Sequence, residues 1–308
     1  MMRAFILAAV LTAPWSVHAA DVSGTITILE GEAVIYRGAG RVHAAEGVRL
    51  MPGDIVETAA STFTQIELAD QSVAQFGPAT RAMFNVSTSK QKTDRWLYLM
   101  DGWVKLIGAK RDAPAAAPGF DLRAPLIEMP ASAAAVVLRS SPSEVSLFVE
   151  KGETRVAERQ QGAPVVVLLK AGDFFRRKAG TRGSVSASPA PAFVAEMPKF
   201  FRDSLPLRLE RYRDRPVQPK DAPDFVYADV EHWLKAESSV RRPLMQRWRG
   251  KAREAAFRNS LVANLSAHPE WDPILFPEKY KPKEPPAPPK ATVVTGRPPT
   301  PAASSVAN

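Results

Sequence analysis

Between Gly24 and Gly183 apolar and β-branched residues recur at every second position in short runs: Ile26 and Ile28, then Thr64, Ile66 and Leu68, then Val145, Leu147 and Val149. A period of two belongs to a strand with one buried face. Turn residues separate the runs. Asp101-Gly102, between Leu97-Tyr98-Leu99 and Trp103-Val104-Lys105-Leu106, is the strongest hairpin signal, because Asp-Gly tolerates the positive φ angles of a tight turn. Lys151-Gly152 and Gln161-Gly162 are weaker instances. With few helical stretches between them, these strands predict an all-β region built as a sandwich, a roll or a solenoid, and not as a parallel α/β sheet. Leu50-Met51-Pro52-Gly53-Asp54 is echoed by Leu169-Lys170-Ala171-Gly172-Asp173, either as two ordinary turns or as the trace of a repeat.

The pattern changes after a Ser/Ala/Pro stretch at Ser184 to Ala192. A short helix carrying Phe200, Phe201 and Leu205 is expected with Pro198 in its first turn. A second follows Tyr227, with Val230, Trp233 and Leu234 on one face. The longest is predicted from Ser239, as N-cap, to about Ala267, with Leu244, Trp248, Ala252 and Ala255 in one stripe, Phe257, Leu261 and Leu265 continuing it, and Gly250 as a point of division. Trp271, Ile274, Leu275, Phe276 and Tyr280 are expected to fold back onto these helices. From Lys281 to Asn308 eight prolines and no aromatic residue predict a disordered tail.

The start of the chain places Arg3 before an apolar run, Ala4 to Ala13, and small residues at Ala19-Ala20. The run is about half the length of a spanning helix, so it reads as a secretory signal peptide. Cleavage after Ala19 is favoured over cleavage after Ala20, since it puts Val17 and not His18 three residues upstream. The expected organisation is a signal peptide over 1–20, an all-β domain over 21–185, a linker over 186–195, a helical module over 196–280 and the tail over 281–308, in a periplasmic protein. With no cysteine in the chain, disulfides, thiolate nucleophiles and zinc ribbons are excluded.

Gly31-Glu-Ala-Val34, Tyr36-Arg37-Gly38, Leu50-x-x-Gly53-Asp54-Ile55-x-x-Thr58, Ile66-Glu-Leu68-Ala-Asp70-Gln-Ser72 and Pro78-Ala-Thr80 resemble the FecR domain family. Leu99-x-Asp101-Gly102-x-Val104, Gly152-Glu-Thr-Arg-Val156 and Leu168-Leu-Lys-Ala-Gly172-Asp173 fit its later strands in outline. Gln71 stands where that family usually has Gly. The resemblance implies a periplasmic β domain used in protein contacts, with Gly38, Gly53, Asp54, Asp70, Asp101, Gly102, Gly172 and Asp173 as structural turn residues. The namesake regulators relay a receptor signal to a cytoplasmic sigma factor through a membrane-spanning chain. This chain shows only a signal peptide before its β domain, so direct sigma-factor control is not expected.

No catalytic constellation stands out. His43, His232 and His268 lack ligand spacing, and no nucleophile elbow, P-loop or dinucleotide fingerprint occurs. Ser87-Thr-Ser-Lys90 matches Ser-x-x-Lys by chance, in what reads as a polar loop. The chain carries 41 Lys+Arg against 32 Asp+Glu, a net charge of +9, and the excess is sharpest over Val240 to Arg258. There Arg241, Arg242, Arg247, Arg249, Lys251, Arg253 and Arg258 face Glu254 alone. This stretch is either a docking surface for an anionic partner or a solvated face, and Trp233, Trp248 and Trp271 are either the core of the helical module or a sugar-stacking platform. The expectation is a non-enzymatic periplasmic FecR-like adaptor or signalling protein that binds an envelope protein. The alternative is a structural binder of peptidoglycan or lipopolysaccharide through basic and aromatic residues. No cofactor, metal, nucleic acid or transmembrane anchor is expected.

Overall fold

The computed structural model describes residues 22–89, 92–109, 119–160 and 162–281. The expected signal peptide with residue 21, residues 90 and 91, residues 110–118, Gln161 and the expected tail from residue 282 lie outside the described residues. The rest is mainly β: seventeen strands in one continuous mixed sheet, which folds over on itself into a sandwich. One layer, sheet I, runs β4 (Arg49–Leu50), β1 (Gly24–Glu30), β6 (Phe63–Leu68), β7 (Val73–Phe76), the C-terminal half of β9 (Lys92–Ile107), β12 (Ala135–Ser140), β13 (Glu144–Lys151), β16 (Phe174–Lys178) and β17 (Ser184–Ser186). Sheet II runs β3 (Gly40–His43), β2 (Ala33–Arg37), β5 (Ile55–Thr58), β8 (Arg81–Ser89), the N-terminal half of β9, β10 (Asp121–Arg123), β11 (Ile127–Met129), β14 (Glu153–Glu158) and β15 (Val165–Lys170). Only the β9–β10 pair among these is parallel.

Strand β9 belongs to both layers, which corrects the hairpin expected at Asp101-Gly102. The chain does not reverse there. Arg81 faces Asp101 while Ala82 faces Leu99, so Met100 is an extra residue, and beyond it Gly102 to Ile107 pair with β12 in the other sheet. Gly102 takes φ +97°, and a Cβ on it would lie 2.5 Å from Thr80 Cα. A strand that bends from one sheet into the other and a tight turn can both use a residue with positive φ; the dipeptide signals that need without saying which will meet it.

The layers enclose one core, with Ile26, Ile66, Phe76, Val104, Leu138 and Leu147 from sheet I against Ile35, Val56, Phe84, Leu97, Leu99 and Leu122 from sheet II. Both outer faces are apolar as well, and the chain after β17 covers both. Helix α1 (Pro191–Glu196) and the 3₁₀ turn Lys199–Arg202 lay Phe193, Met197 and Phe201 on Ile28, Phe63, Trp103, Val137 and Phe174 of sheet I. The segment expected as a linker therefore holds α1 and a buried anchor, Phe193. On sheet II, Tyr36, Ile55, Met83, Trp96, Tyr98 and Met100 share a second core with Phe225, Trp233, Leu244, Trp248, Phe257 and Trp271. The tryptophans at 233, 248 and 271 are buried here, so they form core and not a sugar-stacking platform.

The helices of that cover are α2 (Tyr227–Leu234), α3 (Ser238–Arg247), α4 (Ala255–Ala263) and α5 (Asp272–Leu275). α2 falls where expected. The single long helix does not form: Arg249–Arg253 tighten into a 3₁₀ segment, and Glu254 is extended at φ −78°, ψ 123°. That break rotates the chain, so Leu244, Trp248, Ala252, Phe257 and Leu261 are all buried while Ala255 is exposed. Ser239 is not the N-cap either; its Oγ donates to Glu237 Oε1 at 2.9 Å. Ser87 lies in β8 opposite Asp94 and not in a loop.

The turn residues explain part of the sequence pattern. Gln71 adopts φ +69°, the left-handed conformation that a side chain strains, in the Asp70 turn whose Oδ1 accepts from Ser72 N–H at 3.0 Å. Gln71→Gly is expected to raise stability by about 0.5 kcal/mol, the left-handed strain of roughly 1–2 kcal/mol being partly offset by the entropy of glycine. Urea unfolding of the two proteins checks it; no change or a loss would show that the strain is relieved elsewhere.

A buried histidine sets an acid limit. His268 is fully buried, 3.1 Å from Tyr227 Oη through Nε2, with Nδ1 unpartnered. Burial holds its pKa below the ordinary 6.5, so the folded protein keeps the ring neutral. A depressed histidine pKa means the unfolded chain binds the proton first. Its contribution is complete above about pH 6.5 and is lost as the pH falls from there towards the folded pKa. Stability should drop between pH 7.5 and pH 5.5 by less in His268→Gln than in the wild type, and equal drops would clear His268 of the effect.

Candidate interaction residues

Two of the predicted turns are one device used twice. Gly53 and Gly172 have φ +86° and +95°. In the first turn Asp54 N–H donates to Met51 O, and Met51 N–H donates to Asp54 Oδ2 at 2.9 Å. In the second Asp173 N–H donates to Lys170 O, and Lys170 N–H donates to Asp173 Oδ2 at 2.8 Å. Each Gly-Asp pair then opposes a single residue, Phe84 or Val149, which bonds to the Gly N–H and the Asp carbonyl. This is a turn closed by a bulge. The strands around the two differ, however: β5 pairs with β2 and β8, whereas β16 pairs with β13 and β17. The echo is one of turn chemistry and not of a duplicated fold. Asp54 is buried and also takes Arg37 Nη2 at 2.5 Å and Arg37 Nε at 3.0 Å.

The carbonyls of these turns anchor the helical cover. Trp248 Nε1 donates to Gly38 O at 3.2 Å, and Arg247 Nη1 donates to Gly53 O. Glu57 on β5 accepts from Trp233 Nε1 at 2.7 Å and meets His232 Nε2 at 2.8 Å. No sequence signal marked Glu57, because its partners lie far along the chain.

Four of the seven basic candidates turn out to be internal struts. Arg241 grips Glu270 through Nη2 at 2.7 Å and Nε at 3.0 Å, and this bonding holds the Glu270 carboxyl below its ordinary pKa. Arg247 stacks over the Trp248 ring at 5.4 Å, and burial lowers its pKa to about 10 against the pull of Asp54. Lys251 is 4% exposed, bonded to Asp224 and Glu254 and 4.7 Å above the Phe225 ring. Burial pushes its pKa down, the two carboxylates push it up, and the net shift is upward. Arg258 donates to Leu275 O and lies over Phe276. Of the seven, Arg242, Arg249 and Arg253 are exposed, Arg242 within 3.9 Å of Glu270. Desolvating a cation without a partner is costly, so each buried one is held by an acid, a carbonyl or an aromatic face.

Asp70, Gly38, Gly53, Asp54, Gly172 and Asp173 sit in turns, Asp101 and Gly102 in β9 directly after the bulge at Met100. His43, His232 and His268 stay apart, and among the described residues no group of three or more His, Asp or Glu side chains is placed to hold a metal ion. No helix of the described residues is long and apolar enough to cross a membrane.

No family model and no curated protein sequence matches the chain. Two crystal structures of a candidate anti-sigma factor from Parabacteroides distasonis ATCC 8503, at 2.50 and 1.65 Å resolution, are similar to it at a TM-score of 0.36 and 14% identity. The similarity spans 46% of this chain and 62% and 63% of theirs, less than two thirds of those chains.

Proposed function

We propose that this protein is a periplasmic FecR-like adaptor or signalling protein that acts by binding an envelope protein, without catalysis of its own. What carries the reading is how the charge is spent. The close groupings of ionisable side chains, Arg37 with Asp54, Arg177 with Glu158, Lys251 with Asp224 and Arg241 with Glu270, tie one element to another. The excess positive charge is left outside, on residues such as Arg242, Arg249 and Arg253, where it is available to an anionic surface. The FecR-like turn pattern adds support, since Gly31, Gly38, Gly53, Gln71 and Gly172 all occupy positive-φ positions. The signal-peptide pattern of residues 1–20 is what supports a periplasmic compartment.

In-cell crosslinking followed by mass spectrometry tests it. A defined protein crosslink, reduced when Arg242, Arg249 and Arg253 become Gln, is the expected result. Sedimentation with isolated sacculi in a salt-sensitive manner, and no protein crosslink, would overturn it in favour of a wall binder. Partner identity aside, the triple substitution should leave stability within about 0.5 kcal/mol, as exposed positions do.

A further inference from the structure

The two sheets have four lateral edges, and the C-terminal chain closes two of them. β3 is sealed by His43 N–H to Lys220 O at 2.8 Å and Ala222 N–H to Arg41 O at 3.1 Å. β4 is flanked by Val217, whose N–H donates to Gly47 O at 3.2 Å beside the Val48 bridge. The other two edges, β15 and β17, belong to the same end of the sandwich, and no described strand pairs beyond them. β17 has three residues. β15 has six, Val165-Val-Val-Leu-Leu-Lys170, and presents Val166 and Leu168 at 56% and 52% exposure.

The direction of its free backbone groups follows from the register. Ala171 N–H donates to Gly152 O, and Lys170 faces Glu153. In an antiparallel pair bonded and non-bonded positions alternate, so Leu169, Val167 and Val165 bond to β14 while Val166, Leu168 and Lys170 turn their N–H and C=O groups outward. Asp173 Oδ2 already takes the Lys170 N–H. That leaves a template at Val166 and Leu168 whose side chains are also the exposed apolar ones. Protein edges of this kind are ordinarily blunted by a charge, a proline or a cover; within Val165 to Leu169 there is none.

Charge says what the edge would accept. Arg155 lies beside it and Lys170 at its end, and Lys151, Lys178 and Arg182 follow or end the neighbouring strands at this end of the sandwich, all exposed and all without an ion-pair partner among the described residues. Against them stand Glu153 and Asp173, and near the start of the strand Glu128 and Glu237, which are both paired with Arg159. Arg155 lies directly opposite Leu168 on β14. A second copy of the chain would bring these cations against each other, which is unfavourable between adjacent strands.

We propose that β15 is a docking edge for an extended segment of another protein with acidic residues at alternate positions, added to sheet II as a further strand with those acids on the face of Arg155 and Lys170. Main-chain bonds at Val166 and Leu168 would give the pairing, and the surrounding cations the choice of partner. This rests on the reading that the protein works by binding another protein.

The test uses the purified protein with two end-blocked peptides, one alternating Glu with Val and the other alternating Lys with Val, and follows amide exchange residue by residue. The Glu peptide should slow exchange of the Val166 and Leu168 amides by at least about tenfold, and the Lys peptide should not. Val166→Pro removes an outward N–H without touching the β14 ladder and should abolish the effect. Arg155→Glu with Lys170→Glu, both at exposed positions, should weaken binding at least about tenfold even if the proline variant does not fold. Equal protection by both peptides, protection only away from β15, or binding that survives the charge reversals would overturn the proposal. Protection that rises with protein concentration in the absence of peptide would do the same, by identifying the occupant as a second copy. Repeating the in-cell crosslinking with Val166→Pro separates the two readings: a partner captured equally by wild type and variant sinks the edge alone, whereas peptide binding with no captured protein sinks the adaptor alone.

Discussion

Trp248→Ala should destabilise the entire molecule by about 4 kcal/mol, in the range of about 3–5 kcal/mol for truncating a buried Trp, and should do so within a single unfolding transition. Trp248 is fully buried, packs 5.4 Å from Phe225 between ring centroids, and donates its indole N–H to Gly38 O. Its loss therefore removes packing and leaves a turn carbonyl to water. The more informative part is the number of transitions. If residues 196–280 had a core of their own, the variant would melt that module and leave the strands intact. Instead Trp248 belongs to the cluster that buries Tyr36, Ile55, Met83, Trp96, Tyr98 and Met100 on sheet II, and exposing that face should unfold the sandwich with it. Urea titrations followed by far-UV circular dichroism and by tryptophan fluorescence should coincide and shift together. Two separate transitions, with the strand signal unmoved, would show the cover to be an independent domain.

That shared core was written in the sequence, in a form that strand alternation hides. Period-two reasoning located the strands through Ile66 and Leu147, which face the inside of the sandwich, whereas in β1 a register shift after Ile26 turns Ile28 to the outer face. Yet Trp96 to Met100 is apolar at every position: Leu97 and Leu99 face inward, while Trp96, Tyr98 and Met100 face the helices. A strand buried on both faces reads as an unbroken apolar run, and such a run in an antiparallel protein calls for a second cover. The Asp101-Gly102 signal failed for a different reason. It encodes a backbone angle, and only the identity of the partners on each side, β8 before it and β12 after it, decides between a reversal and a bend from one sheet into the other.

Candidate interaction residues were legible as charge but not as geometry. Seven basic residues in a short stretch look alike until their partners are known, and those partners, Gly53, Asp224, Glu270 and Leu275, are set by tertiary packing. The residues left outside had no spacing to distinguish them. At β15 the opposite holds. Val165 to Leu169 looks like any buried strand, and only the topology shows that it is last in its sheet.

Arg177→Met is expected to cost about 3–5 kcal/mol, the penalty for breaking a buried ion pair from one side. Arg177 on β16 and Glu158 on β14 are 6% and 2% exposed and meet at 3.2 Å, linking sheet I to sheet II behind the open edge. Arg177 Nη1 also donates to Leu126 O at 2.5 Å and Nε to Thr181 O at 3.0 Å, while Glu158 Oε1 accepts from Gly183 N–H at 3.1 Å. Methionine fills much of the same space but leaves the Glu158 carboxylate without its cation. Adding Glu158→Leu removes that stranded charge, so the double variant should recover about half of the loss; the rest belongs to carbonyls that no longer have a donor. The urea midpoints of the wild type, the two single variants and the double variant close the cycle. A double variant no more stable than Arg177→Met would mean that Arg177 holds the two sheets together through those carbonyls, with Glu158 contributing nothing.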